Sequence, residues 1–273
     1  MLWRMISKLM VVSSPQIRRL LWRVWYDSLS KYGFGDDIQT TFLNYGYAFG
    51  PDDGLPPVLE PQDEPNRYTI QLYHHVAAAV DLAGCDVLEV ASGRGGGAAY
   101  VMRYLKPRRY FGLDASTQAV AFTNRIHRLA GLEFGQGHAE RLPFGSEQFD
   151  AVICVEASHC FCSLDNFLGE VRRVLRPGGH LLYCDLRPRE MVAEWREALG
   201  RSGLEIVRER EITPQVLAAL AMMSDERQRW IERFPRPLTN LMASFAGVKG
   251  HKTYEGLRSG EFQYLSFTLQ RPA

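Results

Sequence analysis

The stretch Val87–Ala98 reads VLEVASGRGGGA. It opens as an apolar run with one acid, Glu89, near its end, then breaks into four glycines, at 93, 95, 96 and 97. A carboxylate at a strand end, followed by a loop almost without side chains, describes a ligand pressed close to backbone. A phosphate, a dinucleotide, or a molecule with hydroxyls and an amino-acid end each meets that description.

Working outward, the loop sits in an alternation of strands and helices. DVLEVA is followed by the helical GGAAYVMRYL, YFGLD (110–114) by STQAVAFTNRIHRLAG, and AVICVEA (151–157) by SLDNFLGEVRRVL. LEFGQG lies between, HLLYCDL (180–186) follows the turn Arg176-Pro177-Gly178-Gly179, and FQYLSFTLQ (262–270) closes the pattern. Leu164, Phe167, Leu168, Val171 and Leu175 make one helical stripe that predicts a buried face. The strands are continuous apolar runs, as expected when helices cover both faces of a sheet. The alternation predicts an α/β fold with a doubly wound, mostly parallel sheet.

Before this domain, residues 1–66 read as a helical lid ending in the proline-rich connector GPDDGLPPVLEPQDEPN (50–66). Residues 67–273 read as the sheet domain, starting with a helix from Tyr68 to Val80 and carrying a mostly helical cap insertion at about 187–247. Trp3, Trp22 and Trp25, with Arg18, Arg19 and Arg23, make the lid aromatic and basic. Such a segment packs as a lid helix, or contacts a membrane surface or lipid-like substrate.

The chain has 273 residues, and 32 Lys and Arg against 31 Asp and Glu leave a net charge of +1. That balance argues against a nucleic-acid partner. The five cysteines, an odd number without a spaced framework, point to reduced thiols and a cytoplasmic protein. His159, Cys160 and Cys162 lack the second ligand cluster a zinc site draws on, so no metal is expected. The N-terminus has no uninterrupted apolar run of about 20 residues, which excludes an integral span there. Oligomeric state is not readable.

Three ligands compete for the glycine loop. A phosphate loop needs a Lys and a Ser or Thr after its last glycine, and Ala98 and Ala99 stand there instead. A dinucleotide fits better, because GRGGGA matches G-x-G-x-x-A and Asp114 lies 19 residues beyond Gly95. Glu89 weighs against it: a negative side chain at the first strand's end opposes a pyrophosphate but suits an ammonium. Acids ending two consecutive strands, with a glycine loop between, fit S-adenosylmethionine, whose ribose hydroxyls Asp114 would accept.

Here the sequence resembles a family. EVASGRGGG is similar to motif I of class I S-adenosylmethionine-dependent methyltransferases, with Ala91 where a first glycine is usual. Gly112-Leu113-Asp114, Gly137-His138-Ala139-Glu140-Arg141-Leu142-Pro143-Phe144, Phe149-Asp150 and Arg176-Pro177-Gly178-Gly179 resemble its later segments in order. Within it, the chain resembles phthiotriolone-type dimycocerosate O-methyltransferases of lipid and polyketide pathways. That likeness is carried by Asn44-Tyr45-Gly46-Tyr47, Asp63-Glu64-Pro65-Asn66-Arg67, Leu72-Tyr73-His74, Val155-Glu156-Ala157-Ser158-His159-Cys160 and Asp185-Leu186-Arg187-Pro188.

The resemblance implies a seven-stranded methyltransferase sheet, S-adenosylmethionine as cofactor, and a hydrophobic small-molecule acceptor methylated on a hydroxyl. It assigns the cofactor to Glu89, Ala91, Gly93, Gly95, Asp114, Ala115, His138, Ala139, Glu140 and Val155. His138 stands where an adenine-binding Asp is usual, and either accepts from adenine, stacks on it, or is a loop residue. Tyr45 and Tyr47 would close over the sulfonium through their ring faces, or simply pack. His159 is expected as the base that takes the acceptor's proton, or as a histidine capping its loop. Glu156 would orient it, bind the acceptor, or be an ordinary strand-end carboxylate. Carbon methylation of a terpenoid, sterol-like or aromatic acceptor, and a cofactor-binding subunit without turnover, are the alternatives.

Overall fold

The computed structural model describes residues 40–273, so the expected lid helix and its tryptophans lie outside the described residues. Seven strands form one sheet in the order β3-β2-β1-β4-β5-β7-β6. They are β1 (Asp86–Val90), β2 (Arg109–Asp114), β3 (Leu132–Gln136), β4 (Phe149–Val155), β5 (Leu175–Pro188), β6 (Glu205–Glu211) and β7 (Phe262–Gln270). The first five run parallel, while β7 inserts antiparallel between β5 and β6.

Helices α1 (Arg67–Ala77), α2 (Gly96–Tyr104) and α3 (Thr117–Ile126) precede or link the early strands, and α4 (Leu164–Val174) and α5 (Val192–Arg201) flank β5. The stripe read from sequence is the buried face of α4, where Phe167, Leu168 and Val171 lose all contact with solvent. Strand β1 is buried along its whole length, which explains its unbroken apolar character.

Two details are added. Within the mostly helical insertion, α5 is followed by β6, and the cap helices α6 (Thr213–Met222), α7 (Ser224–Ile231) and α8 (Arg236–Phe245) come between β6 and β7. Strand β6 reads EIVRERE, with charges along most of its length because it is the sheet's exposed edge. The Arg176–Gly179 turn is absorbed into an irregular start of β5, with Gly178 left-handed at φ 77° and a register shift opposite Phe149 and Ala151.

The segment before the connector, residues 41–48, is bonded to the domain. Tyr47 N–H donates to Tyr68 O, Ala48 N–H to Gln215 O, and Gly96 N–H to Thr41 O. Since β1 leads to β2 on one side and β3 crosses back to β4 on the other, the carboxyl ends of β1 and β4 flank the topological switch point, where open sheets bind ligands.

Candidate active site

A cavity opens at that switch point. Its wall includes Ala91, Gly93, Asp114, Ala115, His138 and Glu156. Ala139, Glu140 and Val155 also belong to it. The glycines have separate uses: Gly93 presents bare backbone to the cavity, whereas a Cβ on Gly97 would overlap the ring of Tyr73. Gly95 lies off the wall, left-handed at φ 76°, and forms the N-cap of α2.

Asp114 ends β2, and its carboxylate accepts from Gly93 N–H and Ser116 N–H at 2.8 Å each. These bonds orient the acid toward the loop. A carboxylate offers about four acceptor positions, so each oxygen can also take a ligand hydroxyl. Glu140 accepts from Cys162 N–H at 2.8 Å, tying the two loops that form the cavity's far side.

Glu89 behaves differently from expectation. It is 1% exposed and absent from the cavity wall. Tyr73 donates to one of its oxygens at 2.7 Å and Tyr110 to the other at 2.8 Å. Burial pushes its pKa up to about 7 against those two hydrogen bonds, and Asp114 adds to the rise. Glu89 therefore reaches the cavity through Tyr73, which does line it.

Tyr47 is likewise fully buried, stacked on His75 at 4.5 Å between ring centroids, and outside the wall. Tyr45 faces a neighbouring cavity beneath the cap, lined by the apolar Phe42, Met223, Trp230 and Phe245 and by the charged Glu226, Arg227, Arg229 and Arg233. The two cavities share Phe42, Leu43 and Asn44.

At the end of β4, Glu156 takes the left-handed conformation at φ 50°, and Ala91 does the same after β1 at φ 61°. Non-glycine residues in this region carry strain, and such strain gathers at functional sites. One oxygen of Glu156 accepts from Tyr264 OH at 2.6 Å and from Tyr45 N–H at 2.7 Å. Burial raises its pKa to about 7, with those two donors pulling the other way.

His159 does not join this wall. Its side chain is 29% exposed, and its Nδ1 lies 2.8 Å from Oδ1 of Asp185. Burial alone would lower its pKa, but Cys160 and Asp185 raise it well above the usual imidazole range. Asp185, fully buried at the end of β5, was not singled out from sequence. Only its position one strand from His159, in the Asp-Leu-Arg-Pro segment, could have signalled the pairing. Among the described residues, no three His, Cys, Asp or Glu side chains converge as a metal site requires.

A doubly wound seven-stranded sheet with antiparallel β7, a glycine loop after β1 and an acid at the end of β2 defines a class I methyltransferase frame. Comparison with known proteins agrees. A methyltransferase domain family matches residues 88–183. The chain is 41% identical, over 98% of both chains, to the phthiotriol/phenolphthiotriol dimycocerosates methyltransferase of Mycobacterium leprae (strain TN). It is 40% identical, over 99% of this chain and 94% of the relative, to the fatty-acid O-methyltransferase of Mycolicibacterium smegmatis. Among solved structures it shares the fold of a geranyl diphosphate methyltransferase in complex with geranyl diphosphate and sinefungin. That match has a TM-score of 0.65 and 17% identity, covering 93% of this chain and 99% of the other.

The chain belongs to the S-adenosylmethionine-dependent methyltransferases, and within them to the group that holds these mycobacterial lipid enzymes. It is an enzyme, and S-adenosylmethionine is its cofactor.

Proposed function

We propose that the enzyme methylates a hydroxyl of a hydrophobic, lipid- or polyketide-type acceptor, without a metal, and that Glu156 takes the hydroxyl's proton. The cofactor, when bound, supplies an electrophilic methyl group on sulfur. Asp114 would hold the ribose, the Ala91–Gly93 backbone would pass beneath the methionyl portion, and His138 would border the adenine. The neighbouring cavity, walled by aromatic and arginine side chains next to α7 and α8, would receive the acceptor, with Phe42, Leu43 and Asn44 at its junction with the cofactor cavity.

The observation that carries this reading is the placement and tuning of Glu156. A carboxyl in the cavity wall with a pKa of about 7 is half ionised at neutral pH. A general base works best there. The two kinds of relative differ on this point: a phthiotriol presents hydroxyls, which must lose a proton, whereas a fatty acid presents a carboxylate already ionised at pH 7. A carboxylate acceptor needs no base, so a raised-pKa carboxyl in the wall supports the hydroxyl reading.

His159 was expected in the base's role. Its ring pairs with Asp185 outside the cavity wall, and Cys160 and Asp185 raise its pKa against the effect of burial. Incubation with methyl-labelled S-adenosylmethionine and, separately, phthiotriol dimycocerosate and palmitic acid tests the reading. Label in the triol lipid alone is expected; label in palmitate alone would overturn it.

A further inference from the structure

The end of β5 carries a polar cluster that the proton-transfer reading does not use. Asp185 has no exposed surface, yet it is ringed by donors. Oδ2 accepts from Ser158 Oγ at 2.6 Å and from His159 N–H at 2.9 Å. Oδ1 lies 2.8 Å from His159 Nδ1 and accepts from Leu186 N–H at 2.8 Å. Arg187 pairs with it at 3.0 Å and lies over the ring of Trp195 at 4.6 Å. Ser158 in turn accepts from Arg187 at 2.7 Å and meets the hydroxyl of Tyr183, which accepts from Trp195 Nε1 at 3.1 Å.

A buried carboxylate with this many partners is costly to assemble and strongly directional once assembled. Its partners are not spread at random. Three of these contacts, from Ser158 Oγ, His159 N–H and the His159 ring, fall on the single turn Ser158–Cys160. That turn begins two residues after Glu156, and Ala157, Cys160 and Phe161 around it are cavity wall. Glu156 is also tied to β5, its N–H donating to Cys184 O at 2.9 Å, one residue before Asp185.

We propose that Asp185 is a positioning residue for methyl transfer: it clamps the Ser158–Cys160 turn to β5 and thereby fixes the cavity wall and the left-handed backbone of Glu156. It touches neither cofactor nor acceptor. Arg187, held flat by Trp195, balances its charge and braces Ser158 from the other side.

The rate consequence rests on Glu156 as proton acceptor, whereas the clamp itself does not. Asp185→Asn keeps the volume but removes the charge and one acceptor oxygen. Amide hydrogen exchange should then quicken at least about tenfold at residues 157–162, with β1 and β2 unchanged. With methyl-labelled S-adenosylmethionine and phthiotriol dimycocerosate as probe acceptor, kcat should fall about 10- to 100-fold, as sub-ångström misplacement produces, while KM for the cofactor moves less than about threefold. Ser158→Ala, which keeps the His159 N–H contact, should do the same more weakly, and carries the test if the Asn variant does not fold. Unchanged exchange at 157–162 overturns the clamp. Faster exchange with an unchanged kcat overturns its role in transfer. A fully active Glu156→Gln variant would instead sink the proton-acceptor reading, and leaves the exchange result standing.

Discussion

The main-chain N–H of Tyr45 lies 2.7 Å from Oε1 of Glu156, joining two residues 111 positions apart. The segment before the connector is thus bonded directly to the carboxyl at the end of β4, and Tyr264 donates to the same oxygen from β7. Three separate parts of the chain meet at one oxygen atom. That convergence holds a strained, half-buried carboxyl in a single orientation.

Glu156→Gln removes the titrating group and keeps its shape. Turnover should fall by roughly 10²–10⁴-fold, the usual loss for a general base. S-adenosylhomocysteine should still raise the melting temperature as in the parent, since Asp114 and the loop are untouched. In the parent, activity should climb as pH rises through about 7, because only the ionised carboxyl accepts a proton. Initial rates from pH 5.5 to 8.5 check this, and a flat profile would count against Glu156.

Tyr264→Phe tests the tuning. The phenol's hydrogen bond favours the ionised carboxyl, so its loss should raise the pKa of Glu156 further. The rise in rate should move to higher pH, with the plateau at alkaline pH largely restored. A profile that moves to lower pH would show that the tyrosine acts otherwise.

Glu89 makes a stability prediction. Its pKa in the fold, about 7, lies above its ordinary 4.5. Between those values the folded protein binds a proton that the unfolded chain has released. Stability from this group is therefore full below about pH 4.5 and declines as pH rises toward 7. Glu89→Gln cannot ionise, so its ligand-free melting temperature should decline less over pH 5–7 than the parent's. Parallel melting curves for the two proteins would contradict the buried, proton-holding Glu89.

How much of this was legible in the sequence depends on the range of each signal. The loop, Asp114 and the α4 stripe were readable because motif and period are local. Strand β6 was not, because an edge strand rich in Arg and Glu lacks the apolar run that marked its neighbours. Glu89 stood out as an acid in an apolar run, but its partners Tyr73 and Tyr110 come from α1 and β2, so its withdrawal from the cavity was invisible. For the same reason the partner of His159 was not legible: its contact with Asp185 spans 26 residues and exists only once β4 and β5 lie side by side.

Asp114→Ala should abolish cofactor binding. The acid organises Gly93 and Ser116 as well as facing the ligand, so nothing nearby can replace it. In the parent, S-adenosylhomocysteine at about 100 times its dissociation constant should stabilise by about 2.7 kcal/mol. The variant should show no melting shift at the same concentration, and NAD should shift neither protein. A full shift in the variant would remove Asp114 from the site.

Ala91 marks the departure from motif I, and the structure shows what it costs. A left-handed backbone at φ 61° brings its Cβ close to the carbonyl oxygen, a penalty of roughly 1–2 kcal/mol for a residue other than glycine. Glycine there would relieve the strain but enlarge the unfolded ensemble, offsetting part of the gain. With Ala91 in the cavity wall, its methyl group either narrows the passage under the methionyl portion or is merely tolerated. Because the residue is small and the cavity is framed elsewhere by Asp114 and Glu156, tolerance is the expected case. Ala91→Gly should raise the melting temperature by about 2–4 °C for each kcal/mol recovered in a chain this size. Affinity for S-adenosylhomocysteine, measured by calorimetry, should stay within about threefold, or 0.65 kcal/mol, of the parent. A lower melting temperature would mean that the methyl packs usefully against its neighbours.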